Sequence, residues 1–309
     1  MPSAPRIDIL MGVYNGETHL PAQLASIASQ NYRNWHLTCS DDGSTDNSLR
    51  VIDGFVRQYP GQLTLRTGPG KGFAANFLSM LAGLPDNNQF VGFADQDDVW
   101  HAEKISHAIA CMKNHDDQPA LYCGRRTIWW PETERRINSP TRNRTCNFRN
   151  ALIENIASGN TIVLNPIAAR LAKEAAEQVE GVFAHDWLLY LLVTGAGGTV
   201  IFDNGPPLIL YRQHGGNAIG AAGGLQAQLN RKIGVLQGKF KHRIDRNLQA
   251  LKTLGHMLTD ENWQLLSEFS AARNQRLTGR IHSLSRTGVF RHDRNGTIGF
   301  WGAAALGRV

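Results

Sequence analysis

Three carboxylates stand within four residues at Asp95-Gln96-Asp97-Asp98, directly after the apolar run Gln89 to Ala94. Packed this closely they repel one another, and a hard divalent cation such as Mg²⁺ or Mn²⁺ relieves that repulsion. The alternative is a solvated acidic turn with one carboxylate capping the next helix. A second acidic cluster is Ser40-Asp41-Asp42-Gly43-Ser44-Thr45-Asp46. A carboxylate at a strand end can accept the imide N–H of a pyrimidine base or the hydroxyls of a ribose. A plain turn and cap explains Ser44 and Asp46, but explains Asp41 and Asp42 together less well.

Such groups must be positioned by a scaffold, and the surrounding pattern supplies one. Ile7 to Tyr14 is a short apolar run stopped by Asn15-Gly16, the pattern of a buried strand and a turn. Thr18 to Gln30 has helical spacing. His36 to Ser40 reads as a second strand, followed by a helix from Asp46 to Tyr59 capped by Ser44 or Thr45. Leu63 to Arg66 is a third strand, Phe73 to Leu81 a third helix and Gln89 to Ala94 a fourth strand. This strict alternation predicts a parallel sheet with helices on both faces, with ligands at the C-terminal ends of the strands. From about residue 120 to 215 the alternation breaks. Strands are expected at Thr161 to Leu164, Thr199 to Phe202 and Pro207 to Tyr211, with helices at Pro166 to Val179 and Trp187 to Val193. Apolar residues from Leu225 to Leu258 recur at spacings of three and four, which predicts one long amphipathic helix. Two shorter helices follow it, one from Asp260 to Asn274.

Ile9 to Gly16, Asp41 to Asp46 and Asp95 to Asp98, in that order and spacing, resemble family 2 glycosyltransferases. The resemblance covers roughly residues 6 to 220 and implies an α/β GT-A fold, with a helical C-terminal extension here. It also implies inverting transfer from a nucleotide-diphosphate sugar. Two finer features, Asp95 to Trp100 with Lys104, and Tyr211-Arg212-Gln213-His214-Gly215-Gly216-Asn217 followed by Gly220, resemble bacterial rhamnosyltransferases. Those enzymes build surface polysaccharide or lipopolysaccharide from dTDP-rhamnose. The expected division is a glycosyltransferase domain over 1–222, with a nucleotide-binding half at 1–100 and an acceptor half at 101–222. A basic amphipathic helical region is expected over 223–309.

The resemblance assigns roles residue by residue. Tyr14 and Asp42 would hold the base, with Asp41 in support, and Asn15 and Asn76 belong to the same donor-binding group. Asp95 would face the ribose or the metal's water shell. Asp97 would be the main ligand of the cation, and Asp98 would orient the donor sugar or the loop. His214 matches a position that some relatives use as a further metal ligand; otherwise it is a hydrogen-bonded loop histidine. Arg212 could meet the diphosphate through paired N–H donors. Lys71 could do likewise from its glycine-rich loop, which is not a Walker A motif, or it is simply exposed. His185-Asp186-Trp187 aligns with the element carrying the catalytic base, so Asp186 would take the acceptor proton. His185 stands where an acidic residue is usual, and could tune Asp186 or touch the acceptor. Ser158 and Gly159 would lie under the acceptor or sugar, and Trp100 and Trp187 would stack on sugar rings. The alternatives are a UDP-sugar donor, or a catalytically silent nucleotide-sugar-binding module.

Charge narrows the partners. The 309 residues carry 32 Lys+Arg against 26 Asp+Glu, but residues 225–309 hold 14 basic and only 5 acidic side chains. An acidic body with a basic tail argues against a nucleic-acid binder. The tail is expected to pack on the body with its charges solvated, to lie on the anionic inner leaflet near a lipid-linked acceptor, or to dimerise. No signal peptide or membrane span is read, and Cys39, Cys111, Cys123 and Cys146 form no CxxC pair. A cytoplasmic location follows as the expectation, with peripheral contact at the inner membrane.

Overall fold

The computed structural model describes residues 4–214 and 237–309. The first half follows the expected alternation: β1 (Ile7–Val13), α1 (Leu20–Ala28), β2 (Trp35–Asp41), α2 (Ser48–Gln58), β3 (Leu63–Thr67), α3 (Phe73–Ala82) and β4 (Phe90–Ala94). Ile7, Ile9, Leu10, Met11 and Val13 are all buried, because helices cover both faces of the sheet and leave no wet side. Next come β5 (Val99–Trp100), α4 (Lys104–Cys111), β6 (Ala120–Gly124), β7 (Thr127–Trp130), β8 (Arg135–Asn138), the single turn α5 (Phe148–Ala151), β9 (Val163–Leu164), α6 (Pro166–Gln178) and α7 (His185–Gly195). β10 (Thr199–Asp203) and β11 (Ile209–Arg212) complete the strands, and the C-terminal helices are α8 (Lys239–Thr253), α9 (Asp260–Arg273), α10 (Leu277–Thr287) and α11 (Arg294–Ala305).

The described strands form a seven-stranded sheet in the order β10-β6-β9-β4-β1-β2-β3 and a four-stranded sheet in the order β5-β11-β7-β8. The fold is α/β of the GT-A type, mostly parallel. That is the mostly parallel sheet expected, with β9, in the stretch where the alternation breaks, running antiparallel to both β4 and β6. From β1 the chain steps outward to β2 and β3 on one side, and β4 lies on the other. The crevice at the C-terminal ends of β1 and β4 is therefore a topological switch point, where ligands bind in such sheets. Tyr14 and Asp95 follow directly from those two ends.

Three local expectations are corrected. Neither Ser44 nor Thr45 caps α2, which starts at Ser48 after Asn47. Instead the Asn15 N–H donates to Ser44 Oγ at 2.9 Å and the Thr45 N–H to Asn15 Oδ1 at 2.8 Å, so these side chains staple the loops after β1 and β2. The long helix expected over 225–258 is shorter where described. It begins at Lys239, after Gly238 in the left-handed region with φ 79°, and ends at Thr253. Leu225, Leu229, Ile233, Leu236, Arg231 and Lys232 lie outside the described residues, as do Gly215, Gly216, Asn217 and Gly220. Three helices rather than two follow α8, because Gly288, with φ 66°, ends α10 and leaves room for α11.

The C-terminal helices pack on the body. Ile244, Leu248, Leu251, Phe269 and Phe300 share one buried apolar cluster with Leu188, Leu192 and Phe148. Glu154 ties this packing down: its carboxylate accepts the His292 N–H at 2.7 Å and lies 3.5 Å from the Arg291 guanidinium. Among the described residues no helix is long and apolar enough to cross a membrane.

Candidate active site

The loops at the C-terminal ends of β1, β2 and β4 form one wall of an open cleft of about 1730 Å³. A site for one small molecule usually spans about 300–1,000 Å³, so this cleft has room for two substrates. Tyr14 projects from the first loop, 59% exposed. Gln96 holds its backbone from both sides, with Oε1 accepting the Tyr14 N–H at 2.9 Å and Nε2 donating to the Tyr14 carbonyl at 2.9 Å. Gly16 is required for that clamp, since a Cβ there would lie 2.3 Å from Gln96 Oε1. Asn15 lies outside the cleft lining and takes a left-handed φ of 47° to reach the second loop.

Asp41 is buried, and its Oδ2 accepts the N–H groups of Gly43 and Ser44, which shapes the second loop. Asp42 lines the cleft, with its carboxylate accepting the N–H groups of Gly70 and Gly72 at 2.7 Å each. Hydrogen bonds to a charged acceptor contribute about 1.5–3 kcal/mol, so Asp42 fixes the glycine-rich loop firmly. Lys71 in that loop is exposed and outside the lining. Asn76 is buried at the cleft floor, with Nδ2 on the Ser40 carbonyl at 2.8 Å and Oδ1 unpartnered.

The acidic cluster divides by burial. Asp95, Asp97 and Asp98 each place a carboxylate oxygen within 4.8 Å of the others. Asp95 and Asp97 line the cleft. Asp98 is fully buried behind them, accepting Asn160 Nδ2 at 2.5 Å and the Arg212 N–H at 3.4 Å. Its contacts are those of a residue that fixes the loop rather than one that reaches a donor. Burial, reinforced by Asp97, raises the Asp95 carboxyl to about 7. Burial and its two acidic neighbours also push Asp98 well above the usual range. Asp95 accepts no hydrogen bond among the described residues, and crowded carboxylates of this kind suit a divalent cation. His214 adds an imidazole, with Nε2 2.7 Å from Asp97 Oδ2. His19 lies beside it at 4.6 Å between ring centroids. Arg212 donates from Nε to the Asp97 carbonyl at 2.9 Å and lies over the Trp129 ring at 4.4 Å.

Across the cleft, Asp186 lies in the first turn of α7. It accepts its neighbour Trp187's N–H at 2.7 Å and the Gly159 N–H at 3.2 Å. Burial raises its pKa, and these hydrogen bonds and the Arg126 charge only partly offset that. His185 is buried against Phe77, its ring stacked at 4.0 Å, with neither ring nitrogen hydrogen-bonded. Burial lowers it to about 3, so it is a neutral packing group. Gly159 leaves space for it, since a Cβ there would lie 3.0 Å from His185 Nε2.

Two tryptophans are not platforms. Trp100 is 3% exposed and lies outside the lining, with Lys104 Nζ 3.6 Å from its ring centroid. Trp187 touches the cleft but is 5% exposed, anchored by Nε1 on the Ala151 carbonyl at 2.7 Å. Their apolar area is used in the core.

Arg126 is one residue that sequence reasoning missed. It lines the cleft, donates to Ser158 Oγ and stacks on Tyr211 at 4.1 Å. Its charge acts on Asp95, Asp98 and Asp186 together. The only signal was an Arg-Arg pair just before an aromatic strand. The C-terminal helices were also not expected here, yet Lys239, Phe240, Arg243 and Phe300 line the same cleft.

Comparison with known proteins bears on the family and the fold. The family model described as Glycosyl transferase family 2 matches residues 8–165. The dTDP-rhamnosyl transferase RfbG of Shigella flexneri is 27% identical over 249 residues, 78% of this chain and 84% of its own. Among solved structures, S. aureus TarS in complex with UDP-GlcNAc superposes with a TM-score of 0.54 at 15% identity, covering 91% of this chain and 80% of its own. The mannosyltransferase PcManGT of Pyrobaculum calidifontis, in complex with GDP-Man and Mn²⁺, gives 0.51 at 16% identity, covering 99% and 86%. At these identities the two structures speak for the fold.

Proposed function

The chain belongs to glycosyl transferase family 2, and on that premise we propose that it transfers L-rhamnose from dTDP-L-rhamnose, with inversion, to a saccharide acceptor in bacterial surface polysaccharide or lipopolysaccharide synthesis. The observation that carries the reading is that Asp186 and the pair Asp95 and Asp97 line one cleft, with Tyr14 and Asp42 at its nucleotide end. The rhamnose donor is supported by the likeness to RfbG along most of both chains.

In this mechanism an acceptor hydroxyl attacks C1 of the donor sugar, and its proton passes to the Asp186 carboxylate. The C1–O bond to the nucleotide diphosphate breaks as the new glycosidic bond forms. Asp95, Asp97 and His214 would hold a Mg²⁺ or Mn²⁺ ion, which when bound neutralises charge on the leaving diphosphate. Arg212 and Arg126 add fixed positive charge at the same end. Asp42, through the glycine-rich loop, and Gln96, through Tyr14, keep the donor walls in place. We assign the nucleotide half to 1–100, the acceptor half to 101–222 and the helical region to 223–309, the last supplying part of the cleft. Work at the cytoplasmic face of the inner membrane, on a saccharide or lipid-linked saccharide, fits this reading.

Donor choice is tested by thermal shift and slow donor hydrolysis with dTDP-rhamnose, UDP-glucose and GDP-mannose, each with Mn²⁺. The expected result is stabilisation and metal-dependent nucleotide release with dTDP-rhamnose above the other two. Preference for UDP-glucose would move the assignment to a UDP-sugar enzyme, and no release from any donor would mark a silent binding module.

A further inference from the structure

The cleft has a cationic region that the donor chemistry does not use. Arg243 lies with its guanidinium 4.4 Å from the centroid of the Phe183 ring, and Phe183 stands three residues before Asp186. Lys239 lies one turn earlier on α8 and lines the same cleft, as does Arg142. Among the described residues none of the three pairs with a carboxylate, whereas Arg291 on the same wall is engaged by Glu154. The stretch 215–236 contains no Asp or Glu that could supply a partner. Arg142 also leaves its Nε buried without a hydrogen bond. Beside these charges stand Phe183, Phe240 and Phe300, the last two 6.5 Å apart in an edge-to-face pair.

Three uncompensated cations at one substrate cleft favour a ligand with more than one negative charge, which a phosphate provides. Their place is set by Asp186. The base must meet the acceptor hydroxyl, so the groups around Phe183 border the acceptor and not the nucleotide. We infer that Lys239, Arg243 and Arg142 form an acceptor subsite for a phosphate ester, with Phe183, Phe240 and Phe300 receiving the apolar or ring portion next to it. This rests on the glycosyltransferase reading above. The phosphate could belong to an isoprenoid lipid carrier or to a phosphorylated saccharide, and the two call for the same contacts.

The test is calorimetry on the full chain saturated with dTDP and Mg²⁺, so that the donor end is filled. Farnesyl phosphate, glucose 1-phosphate and inorganic phosphate are titrated into the wild type, Lys239→Gln, Arg243→Gln and Arg243→Lys. At least one ester should bind more tightly than inorganic phosphate. Each Gln variant should weaken that ester about tenfold, the loss of one charge-assisted contact, while Arg243→Lys stays closer to wild type. Tighter farnesyl phosphate assigns a lipid carrier; tighter glucose 1-phosphate assigns a phosphorylated saccharide. Equal binding of inorganic phosphate and both esters, or Gln variants that bind like wild type with an unchanged Tm, would overturn the subsite. Failure of dTDP itself to bind would instead overturn the donor assignment.

Discussion

At the residue scale, the proposed base is Asp186, and its surroundings set the pH at which it could act. Burial raises its pKa, while the Trp187 and Gly159 N–H groups and Arg126 limit the rise. A base works only when deprotonated, so transfer should fall as pH drops through the Asp186 pKa. Because that pKa is raised, the acid limb of the rate profile should lie above the ordinary carboxylate range. Arg126 lowers the pKa of Asp186, so Arg126→Met should move the limb to higher pH and slow transfer at neutral pH. A pH–rate profile of the two proteins checks both statements, and coincident limbs would contradict them. The acidic residues were legible because each cluster is contiguous and follows a strand. Arg126, Gln96 and His19 were not, because their partners lie 32, 82 and about 200 residues away in sequence and no local pattern announces them. Trp100 and Trp187 misled for a physical reason: a large ring suits a sugar face and a core equally, and burial decided.

At the element scale, the alternation of strand and helix placed β1 to β4 and α1 to α3 nearly to the residue, since apolar period and turn residues are local. Pairing is not local, so the antiparallel β9 and the second sheet were invisible before folding. The connection of the C-terminal helices to the body was equally hidden, and Glu154 is central to it. Burial pushes its pKa up, but hydrogen bonds from His292 and Asn150 and the Arg291 charge outweigh burial and bring it down to about 2. A carboxylate depressed in the folded state stabilises above its unfolded value. That contribution, on the order of 3 kcal/mol, is lost as pH falls from about 4.5 towards 2. Urea unfolding of Glu154→Gln should therefore show a deficit at pH 7 that shrinks through that window. A deficit independent of pH would mean that the ion pair with Arg291 matters little.

At the scale of the whole molecule, the described C-terminal helices pack into the body. Ile244, Leu248 and Leu251 share a buried cluster with α7, and Lys239 and Arg243 border the cleft. Each buried Leu, Ile or Phe contributes about 1.5–3 kcal/mol, against a net stability of about 5–15 kcal/mol for a typical domain. Removing residues 237–309 should therefore abolish cooperative thermal unfolding; a truncated chain that melts sharply would show that the body stands alone. Composition alone had located the basic tail without its purpose, because charge counts carry no information on which face a helix buries. The central claim is that Asp186 takes the acceptor proton in a cleft that binds its donor independently. The most direct measurement compares wild type with Asp186→Asn for initial transfer rate and dTDP-rhamnose affinity. The account predicts that transfer falls by about 10²–10⁴-fold while donor affinity is kept; a variant that transfers at the wild-type rate would contradict it.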